Sequence, residues 1–163
     1  MLTAEDYAEE VKAKLADAWL PNIYRERVRN LRTRSYTLPA QTNKARVEIH
    51  HTLLGVELKA GKKRLLCPDL ATARYLSVFA RAGCEQVALP YDITKISQLA
   101  DELESSWYRM FLLVEHYAGG KSEALNTRIR KLLVSKIRTE ISEAGAGTSV
   151  PEFKQTTRQR KHT

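Results

Sequence analysis

The spacing of the apolar residues changes along this chain from a helical period to a strand period and back. Apolar residues recur at helical intervals over 4–20, alternate with polar residues over 46–67, and return to helical intervals over 69–82 and 94–143. A helix and a strand bury different positional patterns, so one kind of element cannot serve the whole chain. The sequence therefore predicts an α/β (α+β) fold.

The middle of the chain predicts a mixed β-sheet. The alternation over 46–67 is typical of an antiparallel meander. A strand over 63–67, a helix over 69–82 and a strand over 85–90 have the lengths of one right-handed βαβ crossover, so we expect the two strands to pair in parallel. The segment 45–59 forms either two strands joined at "HTLL" or one bent strand, because no Gly or Asn marks a tight turn there.

Helices that flank this sheet are predicted before and after it in the sequence. Thr3 begins a helix over 4–20, and Pro21 separates that helix from an arginine-rich helical pattern over 22–35. The residues 94–143 predict a C-terminal helical hairpin with Gly119-Gly120 at its bend.

Apolar residues nearly vanish after Gly145. We therefore predict a single α/β domain over 1–144 and a basic flexible tail over 145–163. No signal-like segment or apolar run of membrane-spanning length is present. We therefore expect a cytoplasmic protein that does not associate with a membrane. Cys67 and Cys84 form no framework pattern and are expected to be buried thiols.

The formal net charge of +8 favours polyanionic partners. The basic residues form three clusters, one in the second helix, one at the turn near Gly61 and one in the tail, each able to contact phosphates. The predicted nucleic-acid-binding residues are Arg25, Arg29 and Arg32 on one helical face, Lys62, Lys63 and Arg64 at the turn, and Arg158, Arg160 and Lys161 in the tail.

One strand also carries a carboxylate and an amine, Glu57 and Lys59, on the same side. With the elements that follow, "GVELKAGKKRLLCPDLATARYLSVFARAGCEQVALP" resembles the core of the restriction-endonuclease-like superfamily, most nearly its Holliday-junction-resolvase branch, over residues 4–90. The resemblance implies metal-dependent DNA cleavage, with Glu48 and Glu57 as ligands of Mg²⁺ and with Glu48, Glu57 and Lys59 as catalytic residues. The chain departs from the family pattern because no aspartate lies between Asp17 and Asp69.

Two interpretations remain open. An antiparallel sheet with one solvated face shows the same alternation, and Glu57 and Lys59 would then lie on an ordinary hairpin surface.

The predicted function is nucleic-acid binding by a nuclease-like core, with catalysis left open. The alternative is a non-catalytic interaction module whose hairpin over 94–143 binds a protein partner or a second copy of the chain, which exposed apolar residues on that hairpin would favour.

Overall fold

The computed structural model describes residues 2–38 and 46–148. Within these ranges the elements are α1 (Ala4–Leu15), α2 (Leu20–Ile23), β1 (Thr33–Thr37), β2 (Val47–Thr52), β3 (Gly55–Ala60), β4 (Lys63–Cys67), α3 (Leu70–Arg81), β5 (Gln86–Pro90), α4 (Ile93–Ala118) and α5 (Glu123–Ala144). The α+β class and the C-terminal helical hairpin are confirmed. None of the described helices combines the length and apolar character needed to cross a membrane.

The helix α1 is shorter than predicted. It begins at a capping box in which Thr3 and Asp6 exchange hydrogen bonds between side chain and main chain. It ends at Leu15, because Ala16 takes a φ of 49° and a 3₁₀ turn over Ala16–Ala18 follows. The turn redirects the chain so that the side chain of Trp19 is fully buried. Burial of the indole outweighs the helical spacing that predicted one continuous helix.

The predicted helix over 22–35 ends early. The helix α2 passes into a π-helical stretch, Tyr24–Val28, and the chain then becomes extended. Residues Thr33–Thr37 form β1 because they pair with β5 in antiparallel register, with Thr33 opposite Pro90. This long-range pairing overrides the local helical pattern.

The strands β2, β3 and β4 form the predicted antiparallel meander. A two-residue turn at Leu53 and Leu54 joins β2 to β3, so the segment forms two strands and not one bent strand. The hydroxyl of Thr52 accepts a hydrogen bond from the N–H of Leu54 and donates to the carbonyl of Gly55, which takes a φ of 132°. The helix α3, capped by Asp69, packs against this sheet.

The predicted parallel pairing of β4 with β5, and with it the βαβ crossover, is wrong. Within the described residues, β4 pairs only with β3, and β5 pairs only with β1 in a separate two-stranded sheet. Side chains occupy the other edge of β5: the N–H of Ala88 donates to the Tyr24 hydroxyl at 2.9 Å, and the carbonyl of Ala88 accepts from the Tyr75 hydroxyl at 2.6 Å. A parallel neighbour would need these main-chain groups. The family resemblance is left without the crossover that it implies.

The helices α4 and α5 form the hairpin, and α1 packs against both. Arg74 of α3 forms ion pairs with Asp101 and Glu104 of α4, which tie the hairpin to the helix that covers the sheet. Apart from Ala60, the buried apolar side chains of these helices and of both sheets belong to one core cluster.

The segment predicted as a tail begins with residues that contact the core. The hydroxyl of Tyr24 donates to the carbonyl of Gly145 at 2.6 Å, and Arg29 donates to the carbonyl of Gly147 at 2.7 Å. Gly145 and Gly147 are therefore held against the N-terminal segment, and the division of the chain at residue 145 stays a prediction. Residues 149–163, which include Arg158, Arg160 and Lys161, lie outside the described residues.

Candidate nucleic-acid interface

Glu48, Glu57 and Lys59 lie on one face of the three-stranded sheet, as predicted. The register places Glu48 opposite Lys59 and His50 opposite Glu57. Directly opposed residues point to the same side of a sheet. Leu58 points to the other side and is fully buried. This face is a mixed-charge surface that covers an apolar layer.

The two carboxylates of this face have different partners. An oxygen of Glu48 lies 3.0 Å from Nε2 of His50, and an oxygen of Glu57 lies 3.8 Å from the Arg64 guanidinium. Glu48 and Glu57 are diagonal neighbours, which corresponds to a cross-strand separation of roughly 7 to 8 Å. Across the described ranges, no group of three His, Cys, Asp or Glu side chains is placed to hold a metal ion. Ligation of Mg²⁺ by Glu48 and Glu57 stays a prediction.

Arg25 is engaged within the fold. Its guanidinium lies 3.0 Å from the carboxylate of Glu140, which also accepts hydrogen bonds from Lys12 at 3.0 Å and from the Trp19 indole at 3.1 Å. Burial acts to raise the pKa of Glu140, but these hydrogen bonds outweigh it and the pKa is lowered. The geometry of Arg25 is that of an ion pair that holds α5 against the N-terminal segment.

Arg29 also has a structural position. It donates to the carbonyl of Gly147 and, at 3.5 Å, to the Thr33 hydroxyl. The helical stretch ends at Val28, so Arg32 lies beyond it in extended chain. The prediction that Arg32 shares a helical face with Arg25 and Arg29 is therefore wrong.

Arg32 instead joins a second arginine and two tyrosines along β1. The Arg32 guanidinium carbon lies 5.6 Å from the ring centroid of Tyr91. That of Arg34 lies 5.8 Å from the same centroid and 5.9 Å from the centroid of Tyr36. These distances fall within the range of about 6 Å for cation–π contacts. We call Arg32, Arg34, Tyr36 and Tyr91 the β1 cluster.

The pairing of β1 with β5 produces this cluster. Arg32, Arg34 and Tyr36 occupy alternate positions, so their side chains share one side of the strand. Tyr91 directly follows β5, and its N–H donates to the carbonyl of Arg32 at 3.2 Å. This hydrogen bond extends the antiparallel pairing by one residue and places Tyr91 opposite Arg32. Two paired backbones thus fix the four side chains relative to one another.

The β1 cluster carries the positive charges of two arginines. Arg32 and Arg34 are exposed, and neither forms an ion pair with an acidic side chain in the part of the chain that the structure describes. The adjacent acid, Asp92, accepts a hydrogen bond from the N–H of Thr94 at 2.9 Å and caps α4. Tyr91 as a whole residue is 56% exposed. The cluster therefore presents two arginines beside an accessible aromatic ring.

Tyr36 forms the inner side of the β1 cluster. Burial raises the pKa of Tyr36, the nearby thiol of Cys67 raises it further, and Arg34 acts in the opposite direction. Cys67 ends β4. Tyr36 packs against the buried core, whereas Tyr91 lies toward solvent.

The turn between β3 and β4 carries additional positive charge. Lys62 and Lys63 are exposed and form no ion pair with any described residue, and Arg64 lies opposite Lys59. Phosphate binding by this turn and by the tail stays a prediction.

Sequence reasoning did not assign Arg34, Tyr36 and Tyr91 to the site. The signal for Arg34 is the run "RTRSY", in which arginine, arginine and tyrosine alternate with small polar residues. The helical spacing of Ile23, Val28 and Leu31 obscured that signal. Tyr91 carried no local signal, since its position depends on which strand pairs with β5.

Comparisons with known proteins add no assignment to this geometry. No protein-family model, no curated protein and no solved structure matches the chain. The function is therefore argued from the charges, rings and contacts of the described residues.

Proposed function

We propose that the protein binds nucleic acid through the β1 cluster, with the basic turn at Lys62 and Lys63 adding attraction. The observation that carries this proposal is the pair of arginines, Arg32 and Arg34, that contact one exposed tyrosine ring without acidic partners among the described residues. Guanidinium groups bind phosphate oxygens in bidentate geometry and also stack on flat rings. The net charge of +8 increases the rate of encounter with a polyanion.

The test is the salt dependence of binding. Fluorescence anisotropy of a labelled oligonucleotide, titrated with protein over a series of salt concentrations, gives the slope of log affinity against log salt. We expect the Arg32→Ala/Arg34→Ala variant to bind more weakly and to reduce that slope by about one unit per lost phosphate contact, because fewer counterions are released.

A matched control removes the same charge elsewhere. Arg128 and Lys131 lie exposed on α5 and form no ion pair within the described ranges, so Arg128→Ala/Lys131→Ala should leave the slope nearly unchanged. Equal losses in the two double variants would show that binding follows net charge and not the β1 cluster. No binding by the wild-type protein at low salt would remove the proposal.

A second candidate function is favoured by a feature of α4. Tyr108 and Leu112 are 65% and 50% exposed and lie one helical turn apart. These side chains give the hairpin an apolar contact surface that a second copy of the chain could cover. Sedimentation velocity over a range of protein concentrations tests this, with Leu112→Glu as the disruptive variant. A wild-type protein that sediments as a monomer at every concentration would remove this candidate.

A further inference from the structure

The β1 cluster offers an aromatic ring in addition to positive charge. Tyr91 lies between the end of β5 and the start of α4, and more than half of its surface is accessible. Phosphate contacts are made by charged groups and N–H donors and do not require a ring. The exposed ring can therefore contact a part of the ligand other than its phosphates.

The main chain on both sides of Tyr91 is held in place. Its own N–H donates to the carbonyl of Arg32, and the next residue, Asp92, caps α4. The two guanidinium groups lie against the ring. A ring that is already positioned loses little conformational freedom when a ligand stacks on it.

The spacing of the two arginines suits the backbone of a nucleic-acid strand. Arg32 and Arg34 are two residues apart in extended chain, which separates their Cα atoms by roughly 6.6 Å. Long side chains at that separation can contact successive phosphates while the base that joins those phosphates stacks on the ring of Tyr91. Bases in a duplex are stacked on both faces and offer only their edges to a protein, whereas an unpaired base can offer its face.

We infer that the β1 cluster binds single-stranded nucleic acid by stacking an unpaired base on Tyr91 while Arg32 and Arg34 contact the flanking phosphates. This inference rests on the proposed function and specifies its ligand. Stacking is tolerant of base identity because every base has an aromatic face. The shared chemistry is a base face with its neighbouring phosphates, in DNA or in RNA.

The experiment compares labelled probes of equal length against the wild-type protein: oligothymidylate, oligouridylate, an abasic strand and a blunt duplex. The abasic strand keeps the phosphates and removes the faces on which stacking depends. We expect at least one base-bearing strand to bind about tenfold more tightly than the abasic strand, and more tightly than the duplex. Oligodeoxyuridylate, which differs from oligouridylate in the sugar alone, is added to identify the preferred sugar.

Two substitutions locate the stacking on Tyr91. Tyr91→Phe keeps the ring and should retain the affinity for the base-bearing strand. Tyr91→Leu keeps an apolar side chain without a ring, and should lower that affinity about tenfold. Its affinity for the abasic strand should fall by a smaller factor, because the ring also contacts the guanidinium groups of Arg32 and Arg34.

The outcomes separate this inference from the proposed function. Equal affinities for base-bearing and abasic strands, or tighter binding of the duplex, would overturn the inference. The proposed function would survive if binding still depended on salt and on Arg32 and Arg34. Failure of every probe to bind would overturn both. The probe comparison uses the wild-type protein, so it decides the question even if Tyr91→Leu does not fold.

Discussion

The phenolic oxygen of Tyr24 accepts a hydrogen bond from the main-chain N–H of Ala88, on the edge of β5 that faces away from β1. The same hydroxyl donates to the carbonyl of Gly145, and Tyr75 donates to the carbonyl of Ala88. The two tyrosine side chains thus form the hydrogen bonds with the main-chain N–H and carbonyl of Ala88 that a neighbouring strand would form in a wider sheet. The sheet of β1 and β5 remains two-stranded in the described fold, and the β1 cluster lies along β1 with Tyr91 just after the end of β5.

The first prediction concerns this edge. Tyr24→Phe should lower the free energy of unfolding by about 1 to 3 kcal/mol, because the buried N–H of Ala88 would lose its acceptor. Urea denaturation followed by circular dichroism measures the change. Tyr108→Phe is the control, since the side chain of Tyr108 is 65% exposed. Equal stability of the two variants would show that the Tyr24 hydroxyl does not support the edge.

The second prediction concerns the turn between β2 and β3. Gly55 has a φ of 132°, a conformation that side-chain-bearing L-residues rarely adopt, although an added Cβ would meet only ordinary contacts. Gly55→Ala should therefore cost about 1 to 3 kcal/mol through backbone strain. Gly120→Ala is the matched control, because open space surrounds that position. A loss in the control as large as that in Gly55→Ala would argue against strain as the cause.

The third prediction is a pH dependence. The folded-state pKa of Glu140 is lowered from its ordinary value of 4.5, so the stabilising contribution is complete above that value and is lost as the pH falls through the folded-state pKa. Glu140→Gln should be less stable than the wild type near neutral pH and should lose less stability on acidification. Asp6 and Glu9, whose pKa values are also lowered, keep part of the acid dependence in the variant.

Circular dichroism during denaturant titrations at several pH values measures this effect, because that signal does not depend on the Trp19 indole that donates to Glu140. The control is Glu143→Gln on the same helix, since Glu143 is exposed and forms no ion pair within the described residues. Parallel stability curves for wild type and Glu140→Gln through the acid range would contradict the assignment.

The fourth prediction concerns the two thiols. Burial raises the pKa of Cys67 to about 11 and that of Cys84 to about 12, so both are protonated and shielded in the folded protein. At about pH 8 neither should react with a chromogenic disulfide until the protein unfolds. Rapid labelling without denaturant, at a rate independent of unfolding, would show that a thiol is accessible.

The fifth prediction concerns the charged face of the three-stranded sheet. We expect neither the wild type nor Glu57→Gln to cut branched or linear DNA with Mg²⁺ or Mn²⁺, because Glu48 and Glu57 are diagonal and each lies beside its own basic partner. Gel electrophoresis of the products decides this. Cleavage by the wild type that disappears in Glu57→Gln would restore the metal-nuclease interpretation, and equal cleavage in both would indicate a contaminant.

Local patterns predicted much of the fold. Alternation gave the meander of β2, β3 and β4, and it placed Glu48, Glu57 and Lys59 on one face. Asp69 and the helical spacing after it gave α3, and the same spacing gave the hairpin of α4 and α5. Each of these elements is specified by residues close together in sequence, so period and capping were sufficient.

The remainder depends on contacts between distant residues. β1 exists because it pairs with β5, and no local feature of Thr33–Thr37 outweighs the helical pattern that precedes it. The position of Tyr91 follows from that pairing. The break after Leu15 follows from burial of Trp19 against residues far along the chain. The interface was therefore only partly predictable: Arg32 was identified by charge, while its aromatic partner required the topology.

The contacts of Glu140 and Gly145 also limit when the packing of Trp19 and Tyr24 can be completed during folding. Trp19 and Tyr24 each find a hydrogen-bonding partner 121 residues later in the chain. A contact of such separation costs more chain entropy to close than the local turns of the meander or the hairpin. During synthesis the N-terminal segment must wait for α5 to leave the ribosome before it can complete its packing. The segment that carries Trp19 and Tyr24 is therefore made well before α5 but completes its packing only after α5 is available.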